Sequence, residues 1–178
     1  MADQRSGYST TSKTTRIVWG AMFAAIICVA TLAIRIPSPL GGYLNLGDTT
    51  VLLAAFMLGP WLGAAAAGIG SMLADIISGY ALYALPTLLI KSLMAFTAAL
   101  IYHALKGNRQ TKKSTVRSAF VAGIVAEIIM VTGYYLFALL FLSHEGSAVL
   151  TIPGNAIQGA VGIAGGLALL LALPNKLV

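Results

Sequence analysis

Three ionisable residues, Asp75, Lys91 and Glu127, lie inside long apolar stretches of the sequence. A charged side chain at the centre of a membrane costs at least about 2.5–3.5 kcal/mol on insertion scales, so such residues normally face a cavity or one another. Two interpretations follow. The three residues line a polar cavity that receives a solute, or Asp75 and Lys91 form a structural ion pair while Glu127 packs alone. We expect the cavity.

Two amides support the cavity. Asn155 and Gln158 are three residues apart in another apolar stretch, so they share one face of a helix. Amides are costly in lipid when they lack partners, so both are expected to face the cavity. The alternative for Asn155 is a helix cap next to Gly154. Tyr134, on the same predicted helix as Glu127, adds a further polar and aromatic group.

Other tyrosines lie near predicted helix ends: Tyr43, Tyr80 and Tyr83. Tyrosines at such positions either stack on a flat ring or form an interfacial belt. Four motifs of nucleotide-binding, metal or catalytic sites are absent from the sequence: GxxxxGK[ST], HExxH, CxxC and GxSxG. We therefore predict no catalytic residue, no metal site and no enzyme activity.

The composition indicates an integral membrane protein. Of 178 residues, 58% are hydrophobic and 9% are charged, and the mean hydropathy is +0.89. Soluble domains contain about 25% charged residues. The net charge of +6 is concentrated before the first apolar run and over residues 106–117. This placement is typical of cytoplasmic flanks and argues against a nucleic-acid partner.

These flanks define a topology. If both basic clusters are cytoplasmic, the chain crosses the membrane an even number of times between them, and the apolar residues there require four crossings. The sequence thus predicts an all-α integral membrane protein with six transmembrane helices and both termini cytoplasmic. A polar tail occupies residues 1–14 and the membrane domain 15–178. The predicted helices are Ile17 to Ile34, 47–59, 61–78, 84–105, 118–142 and 153–173, with an external segment at 143–152.

Several segments in this order resemble a known family. They are YLNLGDTT at 43–50, LADIISGY at 73–80, PTLLIKSLM at 86–94 and GNAIQG at 154–159. Together they resemble the substrate-binding S components of energy-coupling factor (ECF) vitamin transporters. The resemblance is greatest to the branch that contains riboflavin and hydroxymethylpyrimidine or pyridoxine S components.

This resemblance implies a multi-pass protein of the plasma membrane with a vitamin pocket near the outer face. It implies that the loop containing Tyr43 and Asn45 closes the pocket. The expected partners are a transmembrane coupling subunit and two cytoplasmic ATPases, which hydrolyse the ATP, so this chain binds no cofactor. The resemblance places Ala21 and Ala25 against the coupling subunit. From the residues alone, this small-xxx-small pair could instead pack internally.

The expected vitamin carries a pyrimidine or pyridine ring, as in hydroxymethylpyrimidine or pyridoxine, because the candidate residues suit a small ring with hydroxyl groups. Riboflavin and pantothenate are the alternatives. A different class of function, a small channel or a scaffold without vitamin binding, is the second alternative. Binding of one vitamin without ATP distinguishes these classes.

Overall fold

A computed structural model of the protein describes residues 13–37, 43–107, 111–142 and 148–173. Most of the predicted N-terminal tail, much of the predicted external segment and the C-terminal residues 174–178 lie outside the described residues. Six helices are described: α1 Lys13–Ala33, α2 Gly47–Leu58, α3 Pro60–Ile77, α4 Ala81–Lys106, α5 Lys112–Phe141 and α6 Thr151–Ala172. These six helices confirm the predicted helical architecture.

Five of these helices are long and apolar enough to cross a membrane. The exception is α2, whose 12 residues extend only about 18 Å, against a hydrocarbon thickness of about 30 Å. The sequence predicted this short helix. Most of its residues are buried, and it contacts α1, α3, α4 and α6. Helix α2 is therefore an internal element of the bundle, and it carries its first residues into the protein interior.

A short antiparallel hairpin follows α1, and the sequence did not predict it. Strand β1, Arg35–Pro37, pairs with β2, Tyr43–Asn45, so that Arg35 faces Asn45 and Pro37 faces Tyr43. The connecting residues 38–42 are not described. The hairpin fixes Tyr43, Leu44 and Asn45 in an extended conformation beside the helices.

The chain breaks between helices follow local chemistry. Gly59 has a φ of 78°, which favours glycine, and Pro60 opens α3 at a position where proline is tolerated. Helix α5 starts at Lys112, earlier than the predicted residue 118, because the Thr111 side chain caps it by accepting a hydrogen bond from Ser114 N at 3.2 Å. Helix α4 also starts earlier than predicted, at Ala81 instead of residue 84, and Pro86 lies within it.

Small residues allow the helices to approach closely. Gly63, Ala67 and Ser71 on α3 are buried. A Cβ atom on Gly63 would lie 3.0 Å from the Cα of Ala55 on α2. The short helix is therefore held tightly against α3, and its position within the bundle is well defined.

Candidate functional site

A cavity of about 180 Å³ lies between strand β2 and helices α3 to α6. The lining includes most of the residues that the sequence analysis selected: Tyr43, Asn45, Asp75, Tyr134, Asn155 and Gln158. They come from one strand and three different helices. The fold therefore brings these residues together around one space.

Lys91 and Glu127 are not among the described residues that line this cavity. The Lys91 ammonium group pairs with the Asp48 carboxylate, and both side chains are buried. Asp75 instead accepts a hydrogen bond from the Tyr43 hydroxyl at 2.8 Å. The ion pair that the structure shows is therefore between Lys91 and Asp48, not between Lys91 and Asp75. The reason is that α2 places Asp48 in the protein interior.

Gln158 connects this buried pair to the cavity. Its Nε2 group donates to Oδ2 of Asp48 at 2.7 Å, and its Oε1 atom accepts from the backbone N–H of Asn45 at 2.8 Å. The side chain of Asn45 accepts in turn from Gly47 N at 2.8 Å. Strand β2, helix α2 and helix α6 are thus joined by hydrogen bonds at the edge of the cavity.

Tyr43 forms a second attachment of β2. Besides its hydrogen bond to Asp75, its ring lies 5.0 Å from that of Tyr80, centroid to centroid. Burial and the negative charge of Asp75 raise the pKa of Tyr43. The hydroxyl therefore remains a donor at physiological pH. The other oxygen of Asp75, Oδ2, is buried, and no hydrogen bond to it is formed within the geometric limits among the described residues.

Tyr134 links the cavity wall to the ion pair. Its hydroxyl lies 2.9 Å from the Oγ1 atom of Thr87, and its ring lies 5.7 Å from the Lys91 ammonium group. This distance is within the range of a cation–π contact. Lys91 thus contributes to the site through Tyr134 and Asp48.

Glu127 lies close to the ion pair on the α6 side. A Cβ atom on Gly159 would lie 2.9 Å from its Oε2 atom, and one on Gly162 would lie 2.9 Å from its Oε1 atom. Both carboxylate oxygens are buried and have no hydrogen-bond partner within the described part of the chain. The glycines of α6 make room for this carboxyl group.

Two residues in or next to the cavity wall were not among the predicted site residues. Tyr83 lines the cavity, whereas its sequence position is compatible with either a stacking role or an interfacial role. Asp48 was not considered a site residue at all. A usable signal existed, since an acidic residue at the start of a short apolar helix needs a partner, and Lys91 was the available buried cation.

The described residues contain no group of three or more His, Cys, Asp and Glu side chains that could hold a metal ion.

On α1, two pairs of small residues have different surroundings. Gly20 and Ala24 face α3, where a Cβ on Gly20 would meet Leu62 and one on Gly70 would meet Ala24. Ala21 and Ala25 are exposed. The pair predicted to contact a partner is thus free of internal packing.

Residues 11–175 match the family model of the ECF-type riboflavin transporter S component. The chain is also similar to an uncharacterised protein of Pyrococcus woesei, with 36% identity over 149 residues, 82% of this chain and 93% of the relative.

The fold matches a solved structure described as the S component of a bacterial ECF transporter. The TM-score is 0.68 and the sequence identity is 26%, and the match covers 93% of this chain and 99% of the solved one. These findings confirm the family suggested by the sequence motifs. This chain therefore belongs to the ECF-type riboflavin transporter S component family, whose members are vitamin-binding, multi-pass membrane proteins of a transporter and not enzymes.

Proposed function

We propose that this S component binds a vitamin with a single flat nitrogen-containing ring, of the hydroxymethylpyrimidine or pyridoxine type, in the cavity beneath β2. The observation that carries this choice is the size of the cavity. Its volume of about 180 Å³ is below the ~300–1,000 Å³ typical of sites for drug-sized ligands. A small ring suits this space.

The lining chemistry fits such a ring. Tyr43, Tyr83 and Tyr134 supply aromatic surfaces, and the amide of Asn155 supplies both a donor and an acceptor. The carboxylate of Asp75, which lines the cavity, can accept a hydrogen bond from a ring hydroxyl or amine. A buried polar group left unpaired by a wrong ligand costs about 1–3 kcal/mol, which provides selectivity.

Riboflavin is the second candidate, and the name of the matched family favours it. Its three fused rings and ribityl chain are larger than a single-ring vitamin, so the cavity would have to widen. Pantothenate fits less well because it carries a carboxylate. The described lining contains the acidic Asp75 and no Lys or Arg, since the nearby Lys91 is already paired with Asp48.

The cavity supports this proposal over a channel or a scaffold. A channel conducts solute without partners, and a scaffold binds no vitamin. We propose instead that the chain delivers its vitamin to a transmembrane coupling subunit driven by two cytoplasmic ATPases. The exposed Ala21 and Ala25 offer a surface on which another helix can approach closely.

The test is a calorimetric titration of the purified protein, without ATP, with hydroxymethylpyrimidine, pyridoxine, riboflavin and pantothenate. The proposal predicts that a single-ring vitamin binds most tightly. Tightest binding of riboflavin would contradict the single-ring choice and leave the S-component function intact. Failure of all four to bind would contradict the proposed set of vitamins.

A further inference from the structure

We infer that Asp48 is a positioning residue for the cavity, because it holds Gln158 and, through Gln158, the strand β2 in place. We call Asp48, Lys91 and Gln158 the anchor. Asp48 is not among the described residues that line the cavity, so its effect on a ligand is exerted through Gln158. The consequence for vitamin release rests on the proposed function, whereas the anchoring of β2 does not.

The chemistry of Asp48 determines the orientation of the Gln158 amide. A carboxylate only accepts hydrogen bonds, so the NH2 group of Gln158 must face it. This bond measures 2.7 Å from Nε2 to Oδ2 of Asp48. The carbonyl oxygen of Gln158 is then directed toward β2, where it accepts from Asn45 N at 2.8 Å. With the amide reversed, two donors would face each other at Asn45.

Lys91 makes this arrangement stable inside the protein. It pairs with the other carboxylate oxygen of Asp48, and the side chains of Lys91 and Asp48 are 3% and 0% exposed. A buried carboxylate without a counter-charge is strongly destabilising. The pairing leaves Oδ2 of Asp48 available to Gln158. The anchor therefore consists of one charge-balanced pair and one amide.

Asn45 closes the connection. It is the last residue of β2, and its backbone N–H is donated to Gln158 on α6. Its side chain accepts from Gly47 N at 2.8 Å, at the start of the helix that carries Asp48. The same strand supplies Tyr43 and Leu44 to the cavity lining. Displacement of β2 from α6 consequently requires that the hydrogen bond from Asn45 N to Gln158, or the one from Gln158 to Asp48, be broken.

Two double variants test the inference. D48N/K91M and D48L/K91M both remove the buried charges, and both place a side chain of similar size at position 48. Only the asparagine oxygen accepts from Gln158. The first measurement is hydrogen exchange of the Asn45 amide in the vitamin-free protein. We expect about tenfold faster exchange in D48L/K91M than in D48N/K91M, as for one lost hydrogen bond of about 1.4 kcal/mol.

The second measurement is the dissociation rate of the vitamin that binds in the titration, with the same expected ratio of about ten. Equal exchange of the Asn45 amide in the two folded variants would overturn the inference. Because this readout needs no ligand, it stands even if the proposed vitamin is wrong. Amides in the centre of α5 serve as the control for global unfolding, and alanine at position 48 provides a smaller replacement if leucine prevents folding.

Discussion

The ammonium group of Lys91 on α4 is paired with the carboxylate of Asp48 on α2, and their side chains are 3% and 0% exposed. The two residues are 43 positions apart. Helix α2, too short to span the membrane by itself, places its acidic first turn beside α4 and α6. The pair thus joins the internal helix to the wall of the cavity.

The first prediction concerns this pair. Lys91→Met leaves the Asp48 carboxylate buried and unpaired, so we expect a loss of about 3–5 kcal/mol in the free energy of unfolding. Denaturant titration in detergent provides the measurement. Lys112→Met, at an exposed position of α5, is the matched control and should have little effect. The double variant D48N/K91M should regain most of the loss, and a double variant no more stable than Lys91→Met would contradict the account.

The second prediction concerns the contact of α6 with α2. A Cβ atom on Gly162 would lie 2.7 Å from the Cβ of Asp48 and 2.9 Å from Oε1 of Glu127. Gly162→Ala should therefore push the two helices apart and reduce stability by about 1–3 kcal/mol. Ala160→Val, on the exposed face of the same helix, is the control. Equal melting temperatures for the two variants would argue against this tight contact.

Most of the helices could be predicted from the sequence because membrane helices are marked by long apolar runs and by strong breaks such as Gly59-Pro60. The start of α5 was missed because its first turns are basic and polar. A hydropathy pattern does not reveal a polar extension of a helix, whereas the capping residue Thr111 marks where this helix begins. The hairpin was missed because its two three-residue strands carry too little pattern to be recognised.

The site was predictable in part for a related reason. Polar residues in apolar helices, such as Asp75, Asn155 and Gln158, are conspicuous, and the structure places them around one cavity. Their partners are not conspicuous. Which carboxylate pairs with Lys91 depends on the depth and rotation of α2, and sequence spacing does not determine these.

The third prediction concerns the partner surface on α1. Ala21→Trp or Ala25→Trp should block vitamin uptake in cells that contain the coupling module, because a bulky ring prevents close approach of another helix. Vitamin binding to the isolated protein should not change, since both positions are exposed and do not line the cavity. Leu89→Trp, at an exposed position of α4, is the control. Loss of binding in the isolated Ala21 or Ala25 variants would show that these residues pack internally.

The fourth prediction concerns topology, which rests on the placement of the basic residues. In a Cys28→Ala background, we expect Lys112→Cys to react with an impermeant maleimide only from the cytoplasmic side. Val149→Cys, in the turn before α6 and exposed, should react only from outside. Labelling of both positions from the same side would contradict the predicted orientation.

The most direct test of the central claim, that the cavity beneath β2 holds the vitamin, is the dissociation constant of Asn155→Ala for the vitamin that the parent protein binds. Asn155 lines the cavity and takes no part in the anchor. We predict at least about tenfold weaker binding, equivalent to roughly 1.4 kcal/mol, with Thr132→Ala outside this cavity as the control. An unchanged dissociation constant in folded Asn155→Ala would contradict the assignment of this cavity as the vitamin site.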